Sequence, residues 1–382
     1  MNPIRVAING FGRIGRAFVR RSQNRGLEIV AVNDLGSLEN LAYLLKHDTV
    51  YGKAPFEVET KEGALWIDGK EVRFISEKDP AKLPWKELAI DIVVEATGVF
   101  DEYEKAKAHI DAGARRVVIT APGKGEGGET VLMGINEEKL TTCQISSNAS
   151  CTTNAASPVI AILDEAIGIE KAILSTTHAY TATQSVIDGP VKGDDFRRGR
   201  DAAQNIAPSS TGAAIAVTKA YPVLAGKFDG IALRVPVPAG SIADITFVAK
   251  RATSAEEVNS ILRGAVAAPR WEGIFKTTDE QLVSSDIIGE PFASIADLGM
   301  TRVVDGNLVK VLAWYDNEMG YTESLVRHVI AASTAITRNS SDDAASVATS
   351  EDSAPIAAST AIMSNPSTDS ASAGTVADST QI

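Results

Sequence analysis

Over the first 150 residues, short apolar runs alternate with stretches in which apolar residues recur every three or four positions. The runs Ile4–Ile8, Glu28–Val32, Ile90–Glu95, Val117–Thr120 and Gln144–Ser147 are rich in β-branched residues and predict buried strands. The stretches Gly12–Asn24, Leu38–Lys46 and Glu102–Ala112 predict helices. Such alternation predicts a parallel, doubly wound α/β sheet of the Rossmann type. Phe56–Ile75, with turns at Glu62-Gly63 and Asp68-Gly69, predicts a meander inserted in it.

From residue 151 the pattern changes. A helix over Ala155–Ile167 leads to a strand over Lys171–Thr177, then to a long irregular stretch from Tyr180 to Pro208. Ile231–Val235, Ile242–Lys250 and Leu308–Tyr315 predict strands, and Ala255–Val266 a helix. The expectation is an α+β domain with a mixed, largely antiparallel sheet and helices on one face. Glu318–Ile336 predicts a final helix. The expected organisation is a nucleotide-binding domain over residues 1–150, a catalytic domain over 151–316, the helix within 317–336, and a tail over 339–382. That tail is mostly Ser, Ala, Thr and Asp and lacks Lys, Arg, Cys and aromatic residues. It buries too little apolar surface to offset the entropy of ordering, which predicts disorder.

Composition narrows the function. Of 382 residues 44% are hydrophobic and 23% charged, as in ordinary soluble proteins. The net charge of −12, half of it from the tail, argues against nonspecific binding to nucleic acid or anionic membranes. No apolar run reaches membrane-spanning length. The two cysteines, Cys143 and Cys151, form no C-x-x-C pair, so neither a disulfide framework nor a metal site is expected. Met1-Asn2-Pro3 leads directly into the first strand, so no signal peptide is expected and the cytoplasm is the expected compartment.

Two peptides carry chemistry. Gly10-Phe11-Gly12-Arg13-Ile14-Gly15 lies between a predicted strand and a predicted helix, the setting a dinucleotide-binding G-x-G-x-x-G requires. Its glycines permit a tight turn, approach of backbone to a pyrophosphate, and close helix–strand packing, with the pyrophosphate on the helix N-terminus. Asp34 follows Gly10 by 24 residues, near the offset of an acid that binds an adenosine ribose. The bland alternative is a glycine-rich turn without ligand. The second peptide is Ser146-Ser147-Asn148-Ala149-Ser150-Cys151-Thr152-Thr153-Asn154. A thiol at a helix N-terminus meets unpaired N–H groups and the positive dipole end, which favour thiolate. Here the alternative is a buried structural cysteine.

A nucleophilic thiol calls for a base. Among four histidines, His109 and His328 lie in amphipathic stretches, as surface or packing residues, and His47 follows a helix. His178 ends an apolar strand among Thr176, Thr177 and Thr181, which makes it the candidate base. Arg234 sits in an apolar strand, where a guanidinium needs an anion: a buried acid or, because Arg matches it bidentately, a phosphate. A nicotinamide-type site followed by a cysteine nucleophile suggests aldehyde oxidation through a thiohemiacetal.

Asn9–Arg16 and Ser147–Asn154 closely resemble signature peptides of phosphorylating glyceraldehyde-3-phosphate dehydrogenases. So do Thr177–Thr181, Ser210–Ala214, Leu233–Pro236 and Trp314–Glu318, in order, within a similarity running from about residue 4 to 335. The resemblance implies NAD as cofactor and oxidation of D-glyceraldehyde 3-phosphate with inorganic phosphate to 1,3-bisphosphoglycerate, through a thiohemiacetal and thioester on Cys151 with His178 as base. It implies Thr181, Thr183 and Arg234 at the substrate phosphate, and Ser150, Thr152, Thr211 and Gly212 at inorganic phosphate. For the cofactor it points to Asn9, Gly10, Phe11, Gly12, Arg13 and Ile14 at the turn, Asp34 at the ribose, Lys78, Thr97 and Thr120 nearby, and Asn317 at the nicotinamide amide. The family often carries Arg where this chain has Lys78, and a second cysteine where it has Ala155. Asp34 repels a 2′-phosphate and Leu35 offers it no hydroxyl, while Asp188-Gly189-Pro190 resembles the NAD-selective members. A homotetramer is implied, with Arg197, Arg198 and Arg200 as an inter-subunit salt-bridge loop rather than a nucleic-acid patch. The alternatives are an erythrose-4-phosphate dehydrogenase on the same scaffold and a dinucleotide-binding regulator without turnover.

Overall fold

A computed structural model describes residues 3–191 and 193–348. The first half contributes β1 (Ile4–Asn9), β2 (Leu27–Asn33), a two-residue pair β3 (His47–Asp48) and β4 (Gly52–Lys53), β5 (Val58–Lys61), β6 (Ala64–Ile67), β7 (Lys70–Ile75), β8 (Ile92–Glu95), β9 (Arg116–Ile119), β10 (Glu129–Thr130) and β11 (Ile145–Ser147). Its helices are α1 (Arg13–Ser22), α2 (Leu38–Lys46) and α3 (Tyr103–Asp111). The sheet order is β10-β11-β9-β8-β1-β2-β7-β6-β5. Pairing is parallel from β10 to β7, as strands buried on both faces by crossover helices require. The expected meander is β5-β6-β7, antiparallel, and its last strand continues the parallel sheet beside β2. Glu62-Gly63 and Asp68-Gly69 all adopt positive φ, which lets each pair turn its hairpin in two residues.

The second sheet is built from β12 (Ile169–Ala179), β13 (Ala207–Ser210), β14 (Phe228–Val235), β15 (Ser241–Ala249), β16 (Phe275–Thr278), β17 (Ser294–Val304) and β18 (Leu308–Tyr315). Its order is β13-β14-β12-β15-β18-β17-β16, mixed and largely antiparallel. Along β15 every second residue, from Ser241 to Ala249, is buried. That face packs against α4 (Cys151–Ile167), α5 (Ala213–Ala220) and α6 (Ala255–Val266). The opposite face leaves Ile173 and Ile231 exposed.

The last helix, α7 (Met319–Ala348), extends beyond the expected end at Ile336, and residues 349–382 of the expected tail lie outside the described residues. Asp316 caps its start, accepting from the Glu318 and Met319 N–H groups at 2.8 and 2.9 Å and from the Tyr51 hydroxyl at 2.8 Å. Glu323 then receives Arg21, Arg25 and Arg327 at 2.7, 2.9 and 3.3 Å. Tyr321 donates to the Ala149 carbonyl at 3.1 Å, and Ser324 to Asn154 Oδ1 at 2.6 Å. The final helix thus packs on the first helix and on the turn that carries Cys151.

Candidate active site

The chain leaves β11 through Ala149, whose φ of 52° is uncommon for a residue with a side chain. Ser147 Oγ accepts its N–H at 3.0 Å, and with the Tyr321 contact this holds the bend. Ser150 caps α4, accepting from the Thr153 N–H at 3.1 Å, and Cys151 is the first helical residue. Its Sγ lies 3.3 Å from His178 Nε2, at the end of β12. β12 and β14 run parallel with His178 directly opposite Arg234, whose Nη1 is 2.7 Å from His178 Nδ1. Beneath them the buried Tyr315 hydroxyl bonds the hydroxyls of Thr152 and Thr176, each at 2.8 Å.

Burial pushes the Cys151 thiol up, while Arg234 and the Thr152 hydroxyl and N–H pull it down. Burial, then the Arg234 charge, pull the His178 imidazole down to about 3. Desolvation of the sulfur opposes the thiolate that the helix start favours. Cys151 Sγ and His178 Nε2 are placed for a proton to pass between them as the sulfur attacks.

The phosphate candidates divide. Thr181 and Thr183 hydroxyls are 2.9 Å apart, and Arg198 Nη1 reaches Thr183 Oγ1 at 3.3 Å. Gly212, exposed, opens α5, and Thr211 Oγ1 accepts from the Ala213 N–H at 3.2 Å. The Thr152 side chain is buried, its hydroxyl bonded to Tyr315 and directed at the Cys151 sulfur. Ser150 Oγ is engaged with Thr153. Arg197 pairs with Asp195 at 2.9 Å and Arg200 with Asp188 at 3.1 Å within the chain.

A cavity of about 370 Å³ at the carboxyl ends of β1, β2 and β8 is lined by Asn9, Gly10, Gly12, Asp34, Lys78 and Thr97, with Asn33, Leu35, Glu77, Ala96, Val99 and Phe100. Gly10 has φ 95°, and a Cβ there would stand 2.6 Å from the Thr97 nitrogen. A Cβ on Gly12 would meet nothing within 4 Å, and no side chain caps α1, so the helix N-terminus opens onto free space. That geometry fits a dinucleotide, with its pyrophosphate on α1 and its ribose towards Asp34. Asp34 accepts from the N–H of Phe11 at 2.6 Å and of Gly36 at 2.8 Å, which holds the glycine turn against β2. Phe11, Arg13, Ile14, Thr120 and Asn317 do not line the cavity. Phe11 is buried in the core, and the Arg13 guanidinium joins Asp48 at 2.7 Å to Glu318. Asn317 Oδ1 accepts from Ser241 Oγ at 3.0 Å, and Ser241 Oγ accepts from the Ala179 N–H at 3.1 Å, tying Asn317 to the backbone beside His178.

Under the cavity lies a network that sequence reading missed. His109 is fully buried, the packing alternative of the two the sequence offered. Trp85 Nε1 donates to His109 Nδ1 at 2.9 Å, which leaves the proton on Nε2 to donate to Glu95 Oε2 at 3.0 Å. Glu95 also accepts from Asn9 Nδ2 at 2.6 Å, from the Thr97 N–H at 2.8 Å and from the Thr97 hydroxyl. Ser241, Arg198 and Tyr315 were likewise unforeseen as parts of the site; only Arg198, within its basic run, left a signal. Among the described residues, no group of three or more His, Cys, Asp or Glu side chains converges as a metal site.

Comparison with known proteins gives two family matches. Residues 4–103 match the NAD-binding domain of glyceraldehyde 3-phosphate dehydrogenase, and residues 150–317 its C-terminal domain. Among similar proteins, the glyceraldehyde-3-phosphate dehydrogenase of Clostridium pasteurianum is 47% identical over 328 residues, 85% of this chain and 96% of its own length. Those of Zymomonas mobilis and Streptomyces coelicolor are each 46% identical over 327 residues, with the same coverage.

Proposed function

The chain belongs to the glyceraldehyde-3-phosphate dehydrogenase family, and from that premise we propose that it oxidises D-glyceraldehyde 3-phosphate with NAD and inorganic phosphate to 1,3-bisphosphoglycerate. The cofactor is NAD, since the matched N-terminal domain is the family's NAD-binding domain. The observation that carries the catalytic reading is Cys151 Sγ at 3.3 Å from His178 Nε2, with Arg234 against the far side of the ring.

Cys151 attacks the aldehyde carbon as its proton passes to Nε2. The Cys151 N–H and the protonated His178 hold the resulting oxyanion. NAD supplies a hydride acceptor at this point. His178 gives that proton to the oxyanion and takes it back from the hydroxyl as the hydride leaves and the thioester forms on Cys151; inorganic phosphate then attacks the thioester carbon, and the Cys151 sulfur leaves. Arg234, Thr181 and Thr183 take the substrate phosphate. Gly212, Thr211, Ser150 and the Thr152 backbone take inorganic phosphate. Asn9, Gly10, Gly12, Asp34, Lys78 and Thr97 line the cofactor's cavity. The α1 N-terminus, with the Arg13 and Ile14 backbone, takes the pyrophosphate, Phe11 and Thr120 support that turn, and Asn317 takes the nicotinamide amide. We assign cofactor binding to residues 1–150, with α7 packed on them, and catalysis to 151–316.

A cytoplasmic homotetramer completes the proposal. Exposed Val186, Ile187, Phe196 and Ile206 on the 180–208 stretch, and Ile173 and Ile231 on the open sheet face, support association. No helix among the described residues is long and apolar enough to cross a membrane. The four-carbon aldehyde is not favoured, because the matched relatives bear the three-carbon substrate in their names. NADH formation from glyceraldehyde 3-phosphate tests the proposal. Turnover should require phosphate and should exceed that with erythrose 4-phosphate; turnover with neither aldehyde would refute it.

A further inference from the structure

The floor of the cofactor cavity is one continuous line of hydrogen bonds. It crosses the carboxyl ends of four neighbouring strands, β8, β1, β2 and β7. Glu95, the last residue of β8, accepts from Asn9 Nδ2 at the end of β1, at 2.6 Å. Asn9 Oδ1 accepts from Asn33 Nδ2 at the end of β2, at 2.7 Å. Asn33 then meets both backbone groups of Glu77, just beyond β7: its Nδ2 donates to the carbonyl and its Oδ1 accepts from the N–H, each at 2.9 Å. Glu95, Asn9 and Asn33 are all buried. On its other oxygen Glu95 accepts from the Thr97 N–H at 2.8 Å and from the Thr97 hydroxyl.

The line has one direction. The Glu77 backbone pair fixes which way the Asn33 amide faces, so Asn33 donates to Asn9, and Asn9 in turn donates to position 95. The Thr97 N–H only donates, and so does His109 Nε2, because Trp85 occupies Nδ1. Position 95 therefore has to accept on both oxygens at once, which a carboxylate does and an amide cannot.

We propose that Glu95 is a positioning residue for the cofactor: by accepting on both oxygens it locks the Thr97 turn against the glycine turn and so presets the cavity for NAD. This rests on NAD occupying that cavity. Thr97 is exposed and lines it, together with Asn9, Gly10 and Asn33. The Thr97 nitrogen that Glu95 holds is the atom a Cβ on Gly10 would meet at 2.6 Å, so its place sets how closely the glycine turn lies. The Thr97 hydroxyl, its proton committed to Glu95, accepts from the Val99 N–H at 3.1 Å and carries the restraint on to a further lining residue. Without that preset, binding itself has to order the turn, and the cost appears as lost affinity. The bonds of the Glu95 side chain end on Asn9, Thr97 and His109 rather than on Cys151 or His178, so the saturated enzyme keeps its turnover.

The test is Glu95→Gln, which keeps the shape and replaces one accepting oxygen by a donor, read by calorimetric titration of the full-length assembly with NAD. A Gln oxygen turned to Asn9 and His109 sets its NH2 against the Thr97 N–H. Kd and KM for NAD should both rise by about tenfold, while kcat at saturating NAD and KM for glyceraldehyde 3-phosphate stay within about twofold. Thr97→Val, which removes the hydroxyl and keeps the N–H, should raise Kd by about threefold, and adding it to Glu95→Gln should raise Kd no further. A general loosening of the fold would instead lower kcat, affect both substrates and add in the double variant. Unchanged NAD affinity in Glu95→Gln, or matching losses in kcat and both KM values, overturns the inference alone. Should Glu95→Gln fail to fold, Thr97→Val decides, and an unchanged Kd there overturns it. Wild type that does not bind NAD overturns the cofactor reading, and the inference with it.

Discussion

His109 and His178 are both buried, and both ring nitrogens of each meet a partner. Around His109 the nearest partners agree: Trp85 is only a donor, Glu95 only an acceptor, and one tautomer satisfies both, while Asn9 Nδ2, 3.4 Å from Nε2, has Glu95 to donate to at 2.6 Å. Around His178 they disagree, since Nδ1 faces a donor and an acceptor at the same 2.7 Å. A network with one solution holds a fold in place. At His178 the competing contacts surround the nitrogen opposite the reacting thiol, so that network serves chemistry.

The sharpest break between the two is substitution. His178→Asn should lower kcat by about 10²–10⁴-fold in an NADH assay, with the thermal midpoint little changed, because only the general base is lost. His109→Phe should do the reverse. It leaves the Trp85 N–H unpaired and removes a donor from a buried carboxylate, costing about 2–4 kcal/mol. Urea unfolding at fixed protein concentration should show that loss, while kcat of the folded fraction stays near wild type. Matching losses of activity in both variants would erase the distinction.

His328 supplies a third case. It is buried between Ser146 Oγ at 2.7 Å and Asn148 Oδ1 at 3.2 Å, and burial lowers it to about 3. Its folded value lies below its unfolded value of about 6.5, so the neutral form is favoured by folding. Its contribution is fully present above about pH 6.5 and is lost as pH falls towards 3, at about 1.4 kcal/mol per pH unit. His178 behaves in the same direction. Between pH 6 and 4 the His328→Phe variant should therefore lose stability less steeply than wild type by about that slope, read from urea midpoints. An unchanged slope would show that His328 is protonated in the fold.

Asp34 asks whether a satisfied group still acts on a ligand. Both its oxygens hold backbone N–H groups, yet it lines the cavity with Leu35, which offers no hydroxyl to a 2′-phosphate. NAD should be preferred to NADP by more than tenfold in kcat/KM. Asp34→Ala with Leu35→Thr should narrow that gap by about 1 kcal/mol, less than fully because the glycine turn loosens as well. Equal use of both cofactors by wild type would void the argument.

Elements with local causes were legible in the sequence. Leu38–Lys46 and Ala255–Val266 form the helices their spacing predicts, and both meander turns fall on the expected residue pairs. Cys151, His178 and Arg234 were named from residue type, and the fold brings them together. What stayed hidden depends on register between distant strands. The β12–β14 pairing sets His178 against Arg234, and the β12–β15 pairing, which ends at Thr177 opposite Ile242, brings Ser241 to the Ala179 N–H. The contact of Thr152 with Tyr315 stayed hidden because that partner lies 163 positions away. The sequence leaves His109 between surface and packing because Glu95 and Trp85 are invisible to helical periodicity.

The clasp between Arg21 and Glu323 joins residues 302 positions apart, and Tyr321 secures the turn before Cys151 across 172. Those contacts impose an order in time. A ribosome adding about 5–20 residues per second needs about 15–60 s to go from the first arginine to its acid. Throughout that interval the first sheet waits without its last helix, and the bend at Ala149 lacks its tether. Nascent chains arrested before Met319 should bind NAD poorly and resist alkylation at Cys151 no better than an unfolded thiol. The enzyme would then be silent until its final turns leave the tunnel, a delay written into the fold by where its closing helix is encoded.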